Sequence, residues 1–196
     1  MNNPESVKID GELYPINTDF RIAIKCNELI MDDSIGDNER GLAIIYLLFG
    51  DKGLEAEHHH IKLIELADKY LSCGKERKET DEEPDMDFVQ DMNYIEASFM
   101  SDYRIDLSNV EMHWWKFYNL LCSLSNSDFG NCCVLNRIRN IRNCDVSKIT
   151  DIKERQRMIE LKQEVALKKK EEKLSNEELD SINLFYELNG INRKEQ

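Results

Sequence analysis

Three groups of side chains in this sequence have types and spacing that chemistry uses. His58-His59-His60 offers three imidazoles in a row, donors that zinc and copper favour. Successive residues of a helix point about 100° apart, so three in a row cannot all reach one ion. Exposed or partly packed histidines are therefore expected, and no zinc-protease motif accompanies them. Cys132-Cys133 places two thiols near an expected helix start, where a thiolate gains stabilisation. Adjacent cysteines make a poor unstrained disulfide and no Cys-x-x-Cys pair occurs, so both read as small hydrophobes. His113 stands among aromatics without an Asp or Ser partner in a triad-like arrangement, which suits a packed histidine better than a catalytic base. The sequence has no glycine-rich phosphate loop, no Gly-x-Ser-x-Gly elbow and no paired carboxylates in an acid/base context. It assigns no catalytic, cofactor-binding or metal-binding residue.

Arg137, Arg139 and Arg142, with Lys148 beyond them, form the one basic cluster. If Ile138 and Ile141 face the core, the arginines lie on the flanks. There they are candidate partner contacts, placed to clamp acidic residues of this chain or of a neighbouring copy. Nucleic acid is disfavoured, because the nearby aromatics have the spacing of a buried face and not of a stacking platform. The net charge of −13 is unevenly spread: residues 1–110 carry 11 Lys and Arg against 25 Asp and Glu, and residues 111–196 carry 15 against 14. Such an acidic first half repels phosphates and suits a basic or amphipathic protein partner.

The elements that must position these groups are mostly helical. Asp10-Gly11 between Val7-Lys8-Ile9 and Leu13-Tyr14 predicts a tight hairpin, whose second strand Pro15 keeps short. Thr18-Asp19 caps a helix through Met31, a second runs from about Asn38 to Phe49, and a third from Leu54 to Ser72. That third helix buries Leu54, Ile61, Ile64, Leu66, Leu71 and Tyr70 and stops at Gly74. A charged linker, near 75–87, leads to a fourth helix from Met86 to Ser101. Ser108 and Glu111 have capping-box spacing, which predicts that an aromatic helix starts near Asn109 and buries Trp114, Phe117 or Tyr118, Leu121 and Leu124. Further helices are expected over Cys132–Asn143, from Thr150-Asp151 to about Lys170 with Ile152 in its apolar seam, and after Ser175. The fold class is mainly α, about seven helices in one domain with an N-terminal β-hairpin. Residues 1–170 form the helical domain, and 171–196 a charged C-terminal helix or tail.

With 196 residues and 41% hydrophobic content, a core forms without staples. The start of the chain has neither a basic region nor an apolar run, so no secretory signal is expected and the six cysteines are expected to be reduced. The longest apolar stretch, Leu42 to Phe49, falls far short of the roughly 20 residues a membrane span needs.

Wording adds what spacing cannot. Tyr103-Arg104-Ile105-Asp106-Leu107, Met112-His113-Trp114-Trp115-Lys116-Phe117 and Lys153-Glu154-Arg155-Gln156-Arg157 resemble the gene-product-fifteen family of small phage proteins. That family is encoded among the tail genes of long-tailed phages and prophages of Gram-positive bacteria. The resemblance covers most of the chain, with His113, Trp114, Trp115, Lys116 and Phe117 as its motif core; Ser125 to Gly130, Cys132-Cys133 and the charged tail beyond Lys170 depart from it. It implies a non-catalytic tail assembly chaperone in the host cytoplasm that binds the tape measure protein until tail tube subunits polymerise around it. The tail tube protein is a second candidate partner, and self-association would suit a long filamentous client. Phe185, Tyr186, Met100 and Leu54 are candidate groove-lining residues. Two alternatives stand beside this: a tail or head-tail connector component retained in the virion, and, further off, an enzyme built around His113 and the cysteines.

Overall fold

A computed structural model describes residues 3–75, 84–126 and 132–168. Among them the chain forms a two-stranded antiparallel hairpin and seven α-helices around one core. Strands β1 (Ser6–Ile9) and β2 (Glu12–Pro15) pair with Val7 opposite Tyr14. Asp10 and Gly11 both adopt positive φ, 49° and 96°, as the two-residue turn requires. The strands' alternation sends Ile9 and Tyr14 inward.

Helix α1 (Phe20–Ile30) is capped by Asp19, whose carboxylate accepts the Arg21 amide at 2.8 Å. Helix α2 (Asp37–Glu55) is broken at Gly50, with φ 64° and ψ −161°, a conformation open to glycine almost alone. The expected stop is present, but the chain resumes a helical path beyond it. The third helix is accordingly divided differently from expectation. Its first residues belong to the end of α2 and to a 3-10 turn, Glu57–His59, and α3 spans only His60–Leu71. This resets the helical phase. Leu63, Ala67, Tyr70 and Leu71 are buried, whereas Leu54, Ile61 and Ile64, expected inside, are exposed.

Helix α4 (Met92–Tyr103) begins six residues later than expected. The Asp87 carboxylate accepts the amides of Val89 and Gln90 at 2.9 and 2.7 Å, so a side-chain turn replaces the first helical turn. It ends at Arg104, which takes the left-handed conformation at φ 57°. Helix α5 (Trp114–Cys122) also starts late. Ser108 makes no capping box: its hydroxyl and amide go to Asp106, and residues 104–112 run non-helically to His113. Two backbone bonds hold that segment, Phe20 N–H to Met112 O and Trp114 N–H to Thr18 O. The Arg21 guanidinium adds donations to the Leu107 and Val110 carbonyls. The starts of α1 and α5 are thereby tied side by side.

Helix α6 (Val134–Asn143) packs on α4 through Ser98, a buried hydroxyl that accepts the Leu135 amide at 3.0 Å. Helix α7 (Ile152–Glu164) is capped by Asp151. It stops before the expected Lys170, where Arg142 takes the Val165 carbonyl at 2.7 Å and Gln90 pairs with the Lys168 backbone. Ile152, expected in its seam, is exposed. The last predicted helix, Phe185 and Tyr186, and most of the charged linker lie outside the described residues.

Candidate functional site

The five motif residues occupy the first turn of α5 and the residue before it. His113 is the N-cap, and its ring accepts the Trp115 amide on Nδ1 at 3.0 Å. Nε2 lies 3.0 Å from the Pro4 carbonyl, which can only accept. The ring is therefore the tautomer protonated on Nε2, with both nitrogens engaged and neither left to move a substrate proton.

Trp114 and Trp115 project different faces toward one target. The Trp114 indole donates to the Leu71 carbonyl at 3.0 Å and the Trp115 indole to the Tyr70 carbonyl at 2.9 Å. These are last-turn carbonyls of α3, a place where a helix lacks intrahelical partners, and the Tyr70 carbonyl also accepts the Cys73 amide at 3.0 Å. The tandem tryptophans are a two-point side-chain cap, and this explains a pairing that packing alone does not require. Phe117 lies at the centre of the core, stacked on Phe20 and Phe99 with centroids 4.6 and 5.2 Å away. Lys116 points to solvent.

The basic cluster divides into three environments. Arg142 forms a bidentate pair with Asp91, both bonds at 2.7 Å, with side chains 10% and 1% exposed. That geometry is the strong form of the interaction, and the Asp91 hydrogen bond raises the guanidinium pKa above its ordinary value. Arg142 also donates to the Asp85 carbonyl. Arg139 pairs with the Asp85 carboxylate at 3.1 Å, and Asn143 donates to the same group. Burial alone would raise the Asp85 pKa, but those hydrogen bonds and the Arg139 charge outweigh it and hold the carboxyl below its usual range. Arg139 and Arg142 thus clamp acidic residues of their own chain. Arg137 is exposed and lines an open cleft of about 680 Å³ with Asp102, Tyr103 and Cys133. Asp85 and Asp91 sit beside the charged linker and read in the sequence as solvated residues like its own, and no local spacing ties them to Arg139 and Arg142.

The histidine triplet is distributed over a turn. His59 is buried, with Nδ1 2.8 Å from the Tyr14 hydroxyl and Nε2 3.3 Å from Asp10. His60 donates to the Leu54 carbonyl. The His59 contacts dock the hairpin on the 3-10 turn before α3, and no group of three or more metal-ligating side chains occurs among the described residues. Cys133 is buried as the N-cap of α6, accepting the Asn136 amide at 3.4 Å. Burial pushes the Cys26 thiol up to about 12 and the Cys73 thiol up to about 11, far from the thiolate that nucleophilic or redox work needs. No hydrogen bond joins His113 to a thiol or carboxylate among the described residues.

The chain matches the family model described as Bacteriophage Gp15 protein over residues 1–167. It belongs to that family. Gp15 proteins are phage proteins of the structural and assembly kind, not a known enzyme family. The match takes in the hairpin, all seven helices and every motif residue described above. No curated protein and no solved structure matches the chain. Among the described residues of this Gp15 chain, no helix is long and apolar enough to cross a membrane.

Proposed function

We propose that this protein is a non-catalytic tail assembly chaperone that binds the tape measure protein in the host cytoplasm and is displaced when tail tube subunits polymerise. The observation that supports this best is the use of its most distinctive residues. His113, Trp114, Trp115 and Phe117 all serve the fold, which leaves the surface to carry the function. Binding by masking needs that economy: a rigid core, and apolar side chains at the surface such as Met100 and Leu54, which are exposed here. Helix-in-groove recognition uses apolar anchors at helical spacing.

The same exposed residues would serve as subunit contacts in a component retained by the tail or the head-tail connector. The two readings differ in where the protein ends up. A chaperone is abundant in lysates of induced cells, co-precipitates with the tape measure protein, and is absent from purified tails by quantitative mass spectrometry. Recovery in purified tails at a fixed ratio to the tube subunit assigns it to the structural class.

A further inference from the structure

The pair formed by α2 and α3 exposes apolar side chains that the core does not use. On α2, Leu42 and Tyr46 stand one turn apart at the surface; on α3, Ile61 and Ile64 share one stripe. Tyr46 is 52% and Ile61 77% exposed. Single exposed apolar residues are ordinary, but several on two packed helices mark a binding surface. Ile64 lies at the junction of the two helices, because its Cδ1 is 3.0 Å from where a Gly41 Cβ would stand. Glycine at position 41 lets α3 lean on the α2 backbone, and both helices keep apolar side chains at the surface beside this contact. A third helix packs on such a pair by setting its ridges into the grooves between their side chains.

Charge selects the occupant. The basic side chains of these helices are largely turned to their own chain: Arg40 to Asp37 and the Asp32 and Ile35 carbonyls, Lys52 to the Leu13 carbonyl, and Lys62 to Asp10. Glu39, Asp51, Glu55, Glu57 and Glu65 are exposed on the same elements. Both occupants that this chain itself could supply are disfavoured. Residues 169–196 hold 5 Lys and Arg against 7 Asp and Glu, and a second copy brings a net charge of −13. We propose that the α2–α3 face docks an amphipathic helix with basic flanks from another protein. This rests on the binding reading above and gives it a surface and a partner chemistry.

The test titrates the full chain with a Leu/Lys peptide patterned at the helical period, and with a peptide of identical composition shuffled to lose its apolar face. Calorimetry at physiological salt is expected to show the patterned peptide binding about tenfold or more tightly, and the Tyr46→Ser/Ile61→Ser chain losing a similar factor. Leu42→Ser gives an independent variant on the same face, and thermal melting checks that each remains folded. Equal binding of both peptides, or undiminished binding by the folded variants, overturns the proposal. Co-expression separates it from the chaperone reading. A Tyr46→Ser/Ile61→Ser chain that still keeps the tape measure protein soluble removes this surface and leaves the chaperone reading standing. An unsubstituted chain that binds the patterned peptide on α2–α3 but leaves the tape measure protein insoluble does the reverse.

Discussion

At the scale of single residues, two polar contacts do more than their position in the sequence suggests. His113 joins the start of α5 to the amino-terminal segment through its two ring nitrogens. His113→Ala removes a cap and a tether and is expected to cost about 1–2 kcal/mol in urea denaturation. His113→Asn keeps an acceptor for the Trp115 amide and is expected to cost less; equal losses would argue that the cap is unimportant. Arg142 and Asp91 form a nearly buried pair. Removing one member of such a pair leaves an unpaired buried charge, so Arg142→Met is expected to cost about 3–5 kcal/mol. Adding Asp91→Asn, which keeps an acceptor for the Asp87 amide, is expected to recover part of that loss. A double variant no more stable than the single one would contradict the charge argument. Of this site, the sequence made legible that Trp114 and Phe117 belong to the core. It did not make legible that two indoles would cap α3. Hydrogen bonds between residues more than forty apart leave no local periodicity to read.

At the scale of elements, the hairpin turn, the Asp19 cap and the breaks at Gly50 and Gly74 were readable, because each follows from backbone constraints carried by the residue itself. The late starts of α4 and α5 share one cause. Capping and turn residues compete, and the winner depends on tertiary partners. Ser108 has capping-box spacing, yet Asp106 holds it in a turn. Asp87 similarly delays α4. A single helix from Leu54 would place Ile61 and Ile64 inward, but the break at Gly50 and the 3-10 turn Glu57–His59 reset the helical phase. The contacts between α6 and the segment before α4 converge on Asp85, whose carboxyl pKa is lowered from 3.8. A carboxylate with a depressed folded-state pKa contributes stability above its unfolded value that is lost as pH falls through the folded one. The contribution is full at neutral pH and fades below about 4. Asp85→Asn is therefore expected to be less stable than the parent at pH 7, with the gap narrowing as the denaturation midpoint is followed downward. A gap that stays constant would place the Asp85 effect in packing and not in charge.

At the scale of the whole molecule, the described residues put aromatic mass inside and acidic charge outside. Phe117, Phe20, Phe99 and Trp114 form a stacked centre, around which the hairpin and α1 to α5 assemble. The α6–α7 end is held by polar clamps and contributes few buried apolar side chains. The strongly acidic first half lies in the part that carries the exposed apolar stripes of α2 and α3. On the proposed reading, this acidic surface favours a basic, amphipathic client over another acidic surface. The most direct measurement is co-expression of the full chain with the tape measure protein encoded beside it, followed by affinity purification and sizing. The account predicts a soluble complex containing both proteins, with the tape measure protein insoluble when expressed alone. A tape measure protein that stays insoluble and unassociated in the presence of this chain would contradict it.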